Sequence, residues 1–409
     1  MALERDVLPY SGQLLNVSGP DAIGIRVPDS DIDQLFYYFC AKYSQHKSRM
    51  IQVGAVKLVT SKKWSKENKG DLSTLYDECV PVTYQKHKLT ETGGIFVSSE
   101  ISNKYLRTIA KNTKRPRDFP KNIKDVPNYM WQRFLTTNKI RAYYATSIEV
   151  EQSLCKKLDL HTFRGIIDVL KGHEDVRKIF GFFGTFDSVF CCHTEDFEAF
   201  SVNILLDGAP KYWLIIAAEY REKFNQLLKK LYDLGNCPKP VSHFNFLVAP
   251  SQLQKAGILF TEYIQYPGEI MIIMPGAHHC GFNLGVNYSE NVYCGHPAFL
   301  EEVIRVNNIC CTCVEEDGFT RQHLPLDSVE MQNLIKAAKT FEQSINAQRI
   351  KSTSRINGAQ KQHDYDADIE IVYENFNAPK ARNITPHRLL QSTTSRMPNT
   401  PQVPGFTRQ

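Results

Sequence analysis

His193-Thr194-Glu195 sets an imidazole and a carboxylate two residues apart. On an extended strand residues i and i+2 share a face, so the two side chains converge there. A second imidazole follows the Pro275-Gly276 turn at His279, and its neighbour His278 fits equally well on spacing alone. Two histidines and one carboxylate leave three coordination positions of a metal open. Non-haem iron(II) oxygenases use that arrangement for a chelating cosubstrate and dioxygen. A lone His-x-Glu is common in ordinary strands, where it is only a polar pair, so this one needs support from its surroundings.

The cysteines offer a second set of soft ligands. The eleven are an odd number, and the first residues, Met1-Ala-Leu-Glu-Arg-Asp6, show no apolar run behind a basic start, so no secretory signal is visible. Reduced thiols and a metal site fit better than a disulfide framework. Cys237 and His243 lie six apart, and Cys311-Thr312-Cys313 follows later. Four such ligands suit a closed tetrahedral zinc, although Cys-x-Cys is tight for one. Cys310 could stand in for Cys311, and Cys191 and Cys192 read as buried strand residues beside His193.

The elements that must position these groups are mainly β with α. From about residue 179 the chain reads as short strands broken by Gly and Pro: Val189–His193, Phe200–Leu206, Tyr212–Ala217, Glu269–Met274 and His279–Asn283. One helix interrupts them, with Tyr220, Phe224, Leu227, Leu228 and Leu231 on its buried face and Gly235 at its end. Many short strands with turn signals indicate a sandwich or jelly-roll barrel.

Upstream, Ser30 and Asp33 form a possible capping box before a helix burying Ile32, Leu35, Phe36, Phe39, Cys40 and Tyr43. A strand at Ala55–Val59 follows. Phe163, Ile166, Ile167 and Leu170 predict a further helix ended by Gly172. Residues 61–130 are polar and basic without a clear period, and read as an irregular connector. After about 345 the chain is rich in Ser, Thr, Asn, Gln and Pro, a composition expected to be disordered.

Bulk numbers narrow the function classes. The chain has 42 % apolar and 23 % charged residues, ordinary for a soluble domain. No run of about 18 apolar residues suggests a membrane span. A net charge of +5 allows only weak, non-specific contact with DNA.

The surroundings of His193 supply the missing support. His193-Thr-Glu-Asp-Phe-Glu-Ala-Phe-Ser-Val-Asn203, followed by Gly208-Ala-Pro-Lys211-Tyr-Trp213, resembles the JmjC domain of histone lysine demethylases. So does Pro267-Gly-Glu-Ile-Met-Ile-Ile-Met-Pro-Gly-Ala-His-His279-Cys-Gly-Phe-Asn283. In that family the last histidine before the Gly-Phe-Asn run ligates iron, which selects His279. Residues 23–65, ending in Lys57-Leu-Val-Thr-Ser-Lys-Lys-Trp64, resemble a JmjN segment.

The resemblance implies a double-stranded β-helix (jelly-roll, cupin-like) core with flanking helices, a JmjN-type segment and a zinc-closed helical part. The division expected is an arm (1–22), the JmjN-like segment (23–65), a connector packed on the core (66–142), the JmjC domain (143–313), a helical part (314–345) and a disordered tail (346–409). His193, Glu195 and His279 would hold iron(II), while Lys211 and Tyr143 would bind the far carboxylate of 2-oxoglutarate. Tyr144 competes with Tyr143, which is preferred; Asn203 would bond near the chelating end. Cys237, His243, Cys311 and Cys313 match the zinc set of one JmjN–JmjC branch.

The activity implied is oxidation of N-methyl groups on a histone tail, with dioxygen and 2-oxoglutarate giving formaldehyde, succinate and CO2. Chromatin and a nuclear location follow from the same resemblance. No space for a DNA-binding insert separates the JmjN-like and JmjC-like parts, and all cysteines precede residue 314. This favours the shorter branch, which acts on lysine nine or lysine thirty-six. The chain also departs from the pattern. Phe180 and Phe182 stand where that branch has tyrosines around the methylammonium, and Asn287-Tyr-Ser-Glu-Asn291-Val-Tyr293 replaces the usual residues near the methyl pocket. A weakened JmjC protein acting as a chromatin-binding module, or a hydroxylase of a non-histone protein, is the competing expectation.

Overall fold

The computed structural model describes residues 20–306 and 328–356, apart from 77, 78, 112, 138, 139, 152, 233, 235, 236 and 244. The N-terminal part folds as β1 (Gly24–Arg26), α1 (Leu35–Val53), β2 (Ala55–Val59) and α2 (Lys62–Glu67). Ile32, Leu35, Phe36, Phe39, Cys40 and Tyr43 are buried, as their spacing predicts. The chain enters α1 differently from the expected capping box. A 3-10 turn at Asp29–Gln34 follows Pro28, and no side chain caps it. Proline's fixed φ starts the turn, and Ser30 reaches only its neighbour Asp31.

β1 pairs parallel with β2, and β2 lies antiparallel to β12 (Ile270–Ile273). Inside that seam the fully buried Lys57 meets Glu269 at 2.9 Å and donates to the Ile264 carbonyl at 2.9 Å. Removing either charge would leave the other buried and uncompensated. The pair therefore fastens the N-terminal segment to the core.

The stretch expected to be an irregular connector is largely regular. It holds β3 (Cys79–Leu89), β4 (Ile95–Tyr105), α3 (Leu106–Lys111) and α4 (Val126–Thr136). The two strands run antiparallel over their whole length. An apolar alternation does not reveal β3, because two of its inward side chains are Gln85 and His87. Gln85 is buried for a reason: its amide donates to the Val189 carbonyl and accepts from the Val189 amide, imitating a neighbouring strand.

The core follows with β5 (Arg141–Val150), β6 (Ile179–Gly184), β7 (Val189–His193), β8 (Phe200–Gly208), β9 (Lys211–Ile216) and α5 (Arg221–Tyr232). Then come β10 (Phe246–Leu247), α6 (Pro250–Lys255), β11 (Thr261–Gln265), β12, β13 (His278–Asn283), β14 (Asn287–Cys294), α7 (Phe299–Val306) and α8 (Val329–Ile356). Among the described residues one sheet runs β1-β2-β12-β8-β14-β6-β5-β3-β4-β10 and the other β11-β9-β13-β7. The stretch β12-β8-β14-β6 packs with the smaller sheet as the jelly-roll core of a double-stranded β-helix. The longer sheet carries the N-terminal strands at one end and β5, β3, β4 and β10 at the other.

Two expectations about helices change. Phe163, Ile166, Ile167 and Leu170 are buried, but they sit on a 3-10 stretch, Leu160–Val169, broken at Gly165. Gly165 has φ +48, and a Cβ there would lie 2.4 Å from the Gly295 carbonyl oxygen, so only glycine allows this close approach. The C-terminal helix α8 continues to Ile356, past residue 345, where the disordered tail was expected to begin. Residues 1–19 and 357–409 lie outside the described residues. None of the described helices is long and apolar enough to cross a membrane.

Candidate active site

β7 and β13 are neighbours, and His193 is the direct cross-strand partner of His279. Opposed residues of an antiparallel pair point to the same face, and here the two ring centroids are 4.1 Å apart. β7 ends at His193, so Glu195 does not sit on the strand as its spacing suggests. Its backbone is still extended, with φ −73 and ψ 158, and its carboxylate returns to the same side. Glu195 Oε1 lies 3.3 Å from His279 Nε2, and the ligand atoms of the three residues are all within 4.8 Å of one another.

Backbone carbonyls set the orientation of both rings. His193 Nδ1 bonds the Cys191 carbonyl at 2.7 Å, and His279 Nδ1 bonds the Ala277 carbonyl at 3.3 Å. A carbonyl only accepts, so each ring carries its proton on Nδ1 and turns Nε2 towards the space the triad shares. Ser201 donates to Glu195 Oε1 at 2.5 Å. Burial alone would raise the Glu195 carboxyl, but His279, His193 and the Ser201 bond outweigh it and hold it at about 2. Glu195 therefore stays ionised with the two imidazoles turned towards it, a donor set that fits a divalent metal.

Alternation along β13 settles which histidine joins the triad. His278 points the other way, edge-on to Phe224 of α5 at 5.1 Å. Burial, with Arg221 and Lys239 nearby, keeps its imidazole well below the ordinary range and neutral.

Lys211, at the start of β9, is 1 % exposed. Its ammonium donates to Ser289 Oγ at 2.6 Å and is ringed by Tyr144, Phe182 and Phe190, with centroids 6.0, 5.8 and 5.9 Å away. Among the described residues no carboxylate lies within ion-pair distance of it, and burial pushes its pKa down to about 7. Nearby, Asn203 donates weakly to Ser289 at 3.4 Å, while its Oδ1 is buried without a partner. Asn203 stands on β8, not on the strand of the first ligands, and is two residues from Ser201. A polar row thus runs from Glu195 through Ser201 and Asn203 to Ser289 and Lys211.

The tyrosine expected beside Lys211 is corrected by one residue. Tyr143 turns outward, its ring 4.9 Å from Tyr84 with Lys104 over it at 5.6 Å. Tyr144 is 3 % exposed, faces Lys211 and bonds Asn283. Burial raises its hydroxyl far above the usual tyrosine range. The parity of β5 decides the matter, and a single sequence does not fix where that strand begins.

Phe180 and Asn291 are cross-strand partners on β6 and β14, and both are half-buried. Phe182 lies deeper along the same face, against Lys211 and Tyr144. Its ring borders the lysine end of the interior. Cys237 is 4 % exposed, and His243 closes a 3-10 turn at Pro240–His243. Cys310, Cys311 and Cys313 lie outside the described residues.

Sequence reasoning missed Ser201, Ser289 and the buried charges behind the triad. Glu198 is 3 % exposed and meets both Arg221 and Lys239 at 3.0 Å. Arg221 also donates to the Gly276 carbonyl at 3.2 Å and lies 3.6 Å from Glu302. This network joins the turn after Glu195, the turn before His278, α5 and α7. Nothing in the local spacing of these charges announces it.

A jelly roll with a His/Glu/His cluster at one mouth and a buried lysine within is the architecture of the JmjC fold. Residues 181–293 match the family described as JmjC domain, hydroxylase. That stretch of the chain is similar to a JmjC domain. It is 26 % identical to the human probable lysine-specific demethylase 4F over 266 residues, covering 61 % of this chain and 40 % of that protein. It is 25 % identical to mouse lysine-specific demethylase 4B over 252 residues, 59 % of this chain and 23 % of that protein. A shorter match, 32 % over 130 residues, covers 31 % of this chain and 26 % of rat lysine-specific demethylase 4D. The chain thus spans less than half the length of each of these relatives.

Proposed function

We propose that this protein is an iron(II)- and 2-oxoglutarate-dependent oxygenase that removes methyl groups from lysines of a histone tail. The observation that carries the reading is Lys211, a buried ammonium with one hydroxyl partner and no counter-charge among the described residues. Burying an uncompensated cation is costly, so the site is made for an anion arriving from outside. A dicarboxylate that chelates a metal at the His/Glu/His triad would reach Lys211 with its far end.

Iron, when bound, would supply the activation of dioxygen that drives the oxidation. The protein's own residues bind and orient. His193, Glu195 and His279 would hold the metal on one face. Ser201 and the two backbone carbonyls keep those ligands from turning away. Lys211, Ser289 and Tyr144 would receive the far carboxylate through charge-assisted bonds, and the orphaned Asn203 oxygen or its amide group would meet the near end. Phe182 and Phe190 exclude water from the ammonium, which strengthens that attraction.

The names of the relatives, lysine-specific demethylases, support a methylated lysine as substrate, and the resemblance of the His193 and His279 motifs to histone demethylases is the reason to place that lysine on a histone tail. Lysine nine or lysine thirty-six is the target we assign, in chromatin within the nucleus, with residues 23–65 acting as a JmjN segment. Cys237, His243, Cys311 and Cys313 would bind a structural zinc. A second reading has one specific observation in its favour: Phe180 and Phe182 bring no hydroxyl to the pocket, as in a JmjC module that binds a tail without demethylating it. Succinate formation with iron(II), 2-oxoglutarate and a panel of methylated histone peptides separates the two.

A further inference from the structure

Residues 107–124 hold seven cations and one carboxylate, so this segment alone outweighs the chain's net charge of +5. Its cations recur every three or four residues, at Arg107, Lys111, Lys114, Arg117, Lys121 and Lys124. The apolar residues between them turn inward and hold the segment to the core. Ile109 and Ala110 of α3 and Ile123 beyond it are buried. Phe119 packs edge-on against Tyr129 and Phe186, with ring centroids 5.6 and 5.5 Å away. Pro116 and Pro120 keep the stretch after α3 from continuing as a helix. Arg115 turns in, donating to the Leu284 carbonyl at 2.7 Å, with its guanidinium 5.0 Å from the Phe119 ring centre. Lys111, Lys114, Arg117 and Lys121 are left outside and exposed. Among the described residues none of these four meets a carboxylate. Exposed cations elsewhere do: Lys47 meets Glu301 at 2.7 Å, Lys157 meets Glu67 at 2.6 Å and Arg305 meets Glu302 at 2.6 Å. The segment's single carboxylate, Asp118, accepts from the Tyr129 hydroxyl at 3.1 Å.

We propose that this strap is a docking surface for duplex DNA, held through the phosphate backbone without regard to sequence. The inference rests on the reading above in one respect, that a histone tail is presented beside DNA. Lys111, Lys114, Arg117 and Lys121 only donate and carry positive charge, while a phosphate backbone only accepts. Neighbours in this set, three or four residues apart, lie within about 14 Å of each other, since a residue spans at most ~3.6 Å. A DNA strand carries one phosphate charge per roughly 3.4 Å of its axis, so each cation can reach its own phosphate. The buried rings and Arg115 already fix the backbone of the strap, so docking costs little more than the order of the side chains.

The test is fluorescence anisotropy of a labelled duplex of about 20 base pairs with the full chain, from about 50 to about 200 mM salt. Four phosphate contacts imply a log–log slope of about −3.6, an affinity loss of roughly a hundredfold over that range. Combining Lys111→Gln, Lys114→Gln, Arg117→Gln and Lys121→Gln should remove about three units of that slope and weaken binding at low salt by at least about tenfold. A control loses the same charge from exposed positions on α5, α6 and α8, through Lys223→Gln, Lys230→Gln, Lys255→Gln and Lys339→Gln. It should bind within about threefold of the parent, because salt screens distant charges. Lys111→Gln or Lys121→Gln alone should each take about one unit off the slope, which keeps the surface testable if the combined variant does not fold. No binding by the parent at low salt, an unchanged slope in the variants, or an equal loss in the control overturns the surface. Poly-glutamate that competes as well as the duplex overturns it in favour of an acidic protein partner. Succinate is not the readout, so loss of this surface leaves the oxygenase reading standing, and a protein that makes no succinate can still bind DNA through it.

Discussion

Lys211 Nζ and Ser289 Oγ lie 2.6 Å apart across the interior, the lysine on β9 and the serine on β14. A hydroxyl oxygen can accept from the ammonium but cannot neutralise it. The charge therefore stands desolvated, and its pKa falls to about 7. From this pair the pH dependence of cosubstrate binding follows. Below about pH 7 the lysine is charged and ready for a carboxylate; above it the empty site holds a neutral amine that must first take up a proton. KM for 2-oxoglutarate should rise as pH increases from about 6 to about 8, with proton uptake detectable by calorimetry in buffers of different ionisation heat. A flat profile would show that the ammonium stays charged or makes no contact.

Tyr144 and Tyr143 give the sharpest comparison in the site, since they are adjacent in sequence and face opposite ways. Tyr144→Phe should raise KM for 2-oxoglutarate by about tenfold, the worth of a bond to a charged group. Tyr143→Phe, on the outer face, should change it by less than about twofold. Steady-state kinetics on the two variants checks this directly, and the reverse order would mean that the parity of β5 is wrong.

The network around Glu198 predicts a stability effect separate from binding. Removing its carboxylate leaves Arg221, itself 9 % exposed at the side chain, and Lys239 without their shared partner. Glu198→Ala should lower stability by about 3 kcal/mol, read as a drop in Tm, and Glu198→Gln by less. Because the same residues brace the turns beside Glu195 and His278, metal affinity should fall with it.

Zinc content tests the expected Cys/His set without needing its geometry. Elemental analysis should find about one zinc per chain besides iron, and Cys237→Ser should remove it. A chain free of zinc that folds normally would dismiss those four residues as ligands.

How much of this was legible in the sequence depends on what each signal measures. His193, Glu195, His279 and Lys211 could be named because their motifs are short and contiguous. The strands that carry them were found from apolar runs. β3 and β4 were not, since Gln85 faces inward to bond Val189 and no hydrophobic period marks it. Tyr143 was preferred to Tyr144 because strand parity depends on a boundary that composition does not fix. Ser289 is unremarkable until β14 lies beside β8 and β6, for its role is made by cross-strand register. The break at Gly165 likewise depends on Gly295, far away in sequence.

The central claim is that one site holds a metal, 2-oxoglutarate and a methylated lysine together. The most direct measurement is mass spectrometry of methylated histone peptides incubated with the protein, iron(II), ascorbate and 2-oxoglutarate, with succinate and formaldehyde measured in the same reaction. The account predicts loss of methyl groups from a peptide methylated at lysine nine or lysine thirty-six, with formaldehyde matching each methyl lost, and none with His193→Ala. Peptides that keep every methyl group while the iron-loaded protein makes no succinate, or full activity in His193→Ala, would contradict it.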